Sequence, residues 1–138
     1  TDGDSLVFFR KSDVISAGDL FVTNGYPFID LNAGGNVQGI VAGLNKIVDL
    51  CIPVYGQEGG PMVIPGHGRL SDLGDVINAR EMVTIVRDRV QDMVKKNMTL
   101  DQVKAAKPTR DYDPVYSGPG AFVTGDAFTE AVYRSLKK

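Results

Sequence analysis

Two short β-prone runs open the chain, Ser5 to Arg10 (SLVFFR) and Asp13 to Ala17 (DVISA), and the polar Lys11-Ser12 corner between them predicts a hairpin. Asp19 falls just past the second arm, and Leu20 to Asn36 reads as a loop punctuated by Gly25, Pro27, Gly34 and Gly35. From Asn36 the period changes. Val37, Ile40, Val41, Leu44, Ile47, Val48 and Cys51 recur at three- and four-residue steps, which predicts a helix capped by Asn36 and stopped by Pro53. Gly56 to Pro61 reads as a turn, Met62 to Ile64 as a third strand ended by Pro65-Gly66, and Ser71 to Asn97 as a long helix. Thr99-Leu100-Asp101-Gln102 has capping-box spacing and predicts a short helix to about Lys107, ahead of Pro108. Asp111 to Gly120 (DYDPVYSGPG) reads as an irregular aromatic loop, and Phe128, Ala131, Val132, Ser135 and Leu136 mark a last amphipathic helix. Strands alternating with helices predict an α/β fold.

A chain of 138 residues, 43% hydrophobic and 23% charged, is enough for one domain with a real core. The formal charge of -2 gives no electrostatic case for nucleic acid or for an anionic membrane, and neither is expected as a partner. One cysteine, Cys51, excludes an intramolecular disulfide and any multi-cysteine zinc cluster, and its helical spacing places it in the core. The opening residues lead us to expect no signal-like leader, and no apolar run reaches spanning length.

The only histidine, His67, stands in Pro65-Gly66-His67-Gly68, where flanking glycines let the backbone turn and a ligand or metal approach the imidazole. Ala17-Gly18-Asp19-Leu20-Phe21 has the same design, a strand delivering a metal-competent carboxylate to a loop. On residue chemistry alone, a surface histidine and an ordinary turn or capping aspartate remain open for both. Asn32-Ala33-Gly34-Gly35-Asn36 could be mistaken for a phosphate-cradling loop, but it lacks the Walker lysine and the spacing of a dinucleotide fingerprint.

The order strand, Ala17-Gly18-Asp19-Leu20-Phe21, helix, strand, Pro65-Gly66-His67-Gly68, long helix resembles the C-terminal half of a metallo-β-lactamase-fold hydrolase, over most of the chain. Thr1-Asp2-Gly3-Asp4-Ser5 resembles the residues that follow a metal-binding histidine in many members. Ala105-Ala106-Lys107-Pro108-Thr109 and Val132-Tyr133-Arg134-Ser135-Leu136 resemble a β-lactamase-like subgroup.

The resemblance implies a single half-domain over residues 1–138, half of an αββα sandwich: one small mixed sheet flanked by helices, with the N-terminal half absent. It implies that Asp19 is the carboxylate bridging two metals and His67 the last histidine ligand of one of them, with zinc the expected metal and iron or manganese able to occupy similar sites. It also implies that the intact parent hydrolyses a small-molecule ester, thioester, lactam or related bond by metal-bound hydroxide. Tyr26, Phe28 and Asp30 follow Asp19 and are candidate substrate-mouth residues by placement. The family's His-x-His-x-Asp-His cluster is absent from a sequence with one histidine. The chain alone is therefore expected to be inactive, with metal absent or weakly held, and to be a truncated or proteolytic fragment. Its uncovered sheet face is expected to drive pairing with a second copy or with the missing half. The alternative expectation is an association module that has lost metal binding.

Overall fold

A computed structural model describes residues 3–52 and 59–137. Within them the fold is α/β: a three-stranded mixed sheet backed by helices. Strand β1 (Val7–Phe9) turns through Asp13, at φ 51°, and pairs antiparallel with β2 (Val14–Val22), so the hairpin forms as expected with a shorter first arm. Helix α1 (Val37–Cys51) crosses over to β3 (Met62–His67), which lies parallel to β2 and leaves β2 central. Then follow α2 (Leu73–Lys95), α3 (Leu100–Ala105), α4 (Asp113–Tyr116) and α5 (Gly125–Leu136).

The helices start where side chains satisfy otherwise orphaned N–H groups. Asn36 accepts from Gly39 N at 2.8 Å, and Asp72 with Asp75, and Thr99 with Gln102, form reciprocal capping boxes. The periodic positions Val37, Ile40, Leu44, Ile47 and Cys51 are all buried, and α1 uses that face to cover β2 and to pack on α2. Helix α5 closes over α1 and α2 and supports α3. Pro53, expected to stop α1, and Gly56 of the expected turn lie outside the described residues, as do Thr1 and Asp2 of the opening motif.

The two strand ends differ from expectation. Strand β2 does not stop before Asp19 but runs to Val22, because Gly18 takes φ 54° at a break in register and lets pairing resume beyond it. Asp19, Leu20 and Phe21 are thus strand residues. Strand β3 likewise continues through Pro65-Gly66 to His67. Proline is tolerated because it sits at that same irregularity, opposite Gly18, on an outer strand. The aromatic loop also contains one helical turn, α4, which Pro114 opens at a position where a missing N–H costs nothing.

The two sheet faces are unlike. Ile15, Ala17 and Val63 point into the helical layer and are fully buried. Cross-strand register puts Val7 opposite Ser16, Phe9 opposite Val14, and Val14 and Ser16 opposite Met62 and Ile64, so these six share the other face. Val7 is 48% exposed, Phe9 51%, Met62 46% and Ile64 40%, and no described helix crosses them.

Candidate functional site

The tips of the two parallel strands bring Asp19 and His67 together. Asp19 Oδ1 and His67 Nε2 lie 3.5 Å apart, both in exposed side chains. Thr23 holds the histidine end. Thr23 N donates to the carbonyl of His67 at 3.0 Å, and Thr23 Oγ1 accepts from Arg69 N at 2.8 Å, which clamps the histidine turn onto the end of β2. Arg69 in turn makes a bidentate pair with Asp75 in the first turn of α2. Its guanidinium, hydrogen-bonded to that carboxylate, holds Asp75 below the usual carboxylate range.

The glycines of the turn have steric work. A Cβ on Gly66 would strike the Asp19 carboxylate and lie 2.7 Å from the Gly18 carbonyl carbon; one on Gly68, at φ 109°, would strike Thr23 Oγ1. Gly66 alternates in β3 with the inward-facing Val63 and Pro65 and shares parity with Met62 and Ile64. The Asp19 carboxylate therefore lies in the gap between the tips of β2 and β3, beside Gly66 and the Gly18 carbonyl, and His67 reaches it from the end of β3.

Asp19 and His67 are donors of the types zinc prefers. Ligands at about 2.0–2.2 Å from a tetrahedral ion stand roughly 3.3–3.5 Å from one another, so the observed separation fits two corners of one coordination shell. Among the described residues, no group of three or more His, Cys, Asp or Glu side chains gathers in metal-binding range. Among the described residues, Asp19 and His67 could thus supply two donors to such a shell.

The other three expected site residues have different fates. Tyr26 does not line a mouth: it is 2% exposed, stacks on Phe128 at 5.0 Å between centroids, and donates its hydroxyl to Asp113 Oδ1 at 2.8 Å. Burial, reinforced by the Asp113 carboxylate, pushes its phenol up. Asp30 Oδ1 accepts from Asn32 N and Ala33 N at 3.0 and 3.1 Å and shapes its own loop. Phe28 stays accessible, 55% exposed, and meets Phe122 edge-on at 6.0 Å.

Sequence reasoning did not single out Thr23 or Arg69. A threonine after a strand and an arginine after a glycine carry no local mark of the clamp they form. A cavity of about 420 Å³ lies beside the start of α1, lined by Leu6, Leu20, Ile29, Gly35, Gly39 and Lys46 among others. Its helix terminus is already engaged, since Gly39 N donates to Asn36 and Val37 N to Ser135 Oγ, which leaves little of a phosphate cradle.

No protein-family model, curated protein or solved structure matches this chain.

Proposed function

We propose that Asp19 and His67 belong to the metal-ligand set of a metallo-β-lactamase-like hydrolase, and that the complete catalytic unit draws its remaining ligands from protein beyond these 138 residues. The observation that carries this reading is the 3.5 Å approach of a carboxylate oxygen and an imidazole nitrogen delivered by two different strands. In this reading Asp19 and His67 hold the ion, Thr23 and Gly68 fix the imidazole's turn, and Gly66 leaves room for the carboxylate. Phe28 is the one predicted mouth residue still free to meet a small-molecule substrate. When bound, zinc supplies Lewis acidity that polarises a scissile carbonyl or phosphoryl group and makes water nucleophilic near neutral pH.

The test is zinc-dependent hydrolysis of chromogenic esters, thioesters and lactams by the complete gene product. Turnover that falls at least a hundredfold with chelator, and equally in Asp19→Asn and His67→Gln, supports the reading; turnover indifferent to all three ends it.

A second reading, a non-catalytic association module, is favoured by the open face of Val7, Phe9, Met62 and Ile64. It predicts self-association or partner binding that is lost in Ile64→Lys, with no metal-dependent turnover.

A further inference from the structure

We propose that in this chain the Asp19–His67 pair forms half of an intermolecular zinc site, completed by the same pair from a second copy across the open sheet face. The inference rests on the metal-ligand reading of the pair and concerns the 138-residue chain by itself, where a second copy stands in for the donors that the complete gene product supplies.

Ligand number is the first argument. A closed tetrahedral site needs four donors, each chain brings one oxygen and one nitrogen within 3.5 Å of each other, and a two-fold axis through the ion doubles them to two of each. Geometry is the second. The pair stands exposed at the tips of β2 and β3, the strands that carry Val14, Met62 and Ile64, so a second copy laid on the open face can bring its own pair to the same end. With the axis along the strand direction, both sets of strand tips fall at one end of the sandwich. Packed sheets stand about 10 Å apart. A carboxylate oxygen roughly 3.5 Å from its Cα, plus a bond of about 2 Å, reaches the midplane between them.

Area is the third argument, and it makes the ion necessary. Val7, Phe9, Met62 and Ile64, each about half exposed, offer on the order of 300 Å² per copy, the size of an ordinary surface patch. A stable interface takes roughly 800 Å² per partner. The apolar face orients a second copy without holding it, and zinc supplies what the area lacks.

The experiment is zinc titration of the full 138-residue chain, freed of metal by chelation, with calorimetric stoichiometry and light-scattering mass read in parallel. The expected result is one zinc per two chains, conversion of monomer to dimer, reversal by EDTA, and at least tenfold weaker binding in both Asp19→Asn and His67→Gln. Ile64→Lys should weaken dimerisation by a similar factor while leaving both donors in place. Circular dichroism of each variant separates loss of the site from loss of the fold, and the exposed Asp19 and His67 tolerate replacement. One zinc per monomer overturns the shared site but leaves the pair as metal ligands. A dimer indifferent to zinc and EDTA, or zinc uptake that survives both donor substitutions, also overturns it. No uptake at millimolar zinc overturns the inference together with the claim that this pair binds metal unaided, whereas chelator-insensitive turnover by the complete gene product defeats the hydrolase reading separately.

Discussion

Gly66 and Asp19 share one space: where any other residue at position 66 would place its Cβ, the structure places the Asp19 carboxylate. The Gly18 carbonyl oxygen closes the same gap, 2.8 Å from that Cβ position, so backbone as well as side chain would have to move. Gly66→Ala is expected to destabilise the fold by about 1–3 kcal/mol, the range for overpacking, and to turn the carboxylate away from His67. Gly118→Ala is the control, because a Cβ there meets nothing within 4 Å. Urea midpoints that coincide for the two variants would refute the steric account.

The helical half of this architecture was legible because burial enforces period. Of the seven periodic positions counted from sequence, Val37, Ile40, Leu44, Ile47 and Cys51 prove buried, while Val41 and Val48 are half-buried at the edge of that face. The strand ends were not legible, because a glycine and a proline usually punctuate and only the pairing of β2 with β3 across Gly18 and Pro65 lets both strands run on. The Asp19–His67 convergence came from resemblance to a known family, not from periodicity, whereas Thr23 as a clamp needed coordinates. Tyr26 was misplaced for a related reason. Its use is set by Asp113, 87 residues away, and an aromatic residue in a loop carries no local sign of so distant a partner.

That partnership is testable. Tyr26→Phe keeps the stacking on Phe128 but removes the hydroxyl that bonds Asp113 and, at 3.3 Å, the Thr109 carbonyl. A loss of about 1–3 kcal/mol is expected, since Asp113 Oδ1 loses its shorter hydrogen bond and keeps only the longer one from Ser117 Oγ, at 3.4 Å. The pH dependence follows from the raised phenol. Folded Tyr26 keeps its proton beyond the unfolded value of about 10, so its contribution is complete below that pH and declines as pH rises above it. Alkaline unfolding should shift less with pH in Tyr26→Phe; equal slopes would count against the assignment.

The packing of α3 on α5 carries an acid-sensitive element. Glu130 accepts from Lys104 and from Arg134, and these two cations, Lys104 foremost, hold its carboxyl below the ordinary range. A depressed folded pKa means that the stabilisation is full above the unfolded value of about 4.3 and is lost as pH falls through the folded one. The side chain is 31% exposed, so the worth of the pairs is about 1 kcal/mol or less. Glu130→Gln should lower stability by that amount at pH 7 and by almost nothing at pH 2. A deficit that persists undiminished in acid would assign the effect to packing instead.

The core also contains a removable penalty. Thr129, in α5, is 1% exposed, and its hydroxyl oxygen has no hydrogen-bond partner among the described residues. A hydroxyl taken out of water without a partner costs about 1–3 kcal/mol on protein scales. Valine matches threonine in shape, is branched at the same carbon and has similar helix propensity, so the exchange removes the polar atom with little else. Thr129→Val is therefore expected to raise stability by about 1 kcal/mol, seen as a higher urea midpoint at unchanged slope. Ala127, an exposed neighbour on the same helix, provides the comparison: Ala127→Ser adds a hydroxyl where water can reach it and should shift the midpoint by less than about 0.5 kcal/mol. A Thr129→Val protein that is less stable than the parent would mean that the hydroxyl has a partner in solution, and the buried penalty would not exist.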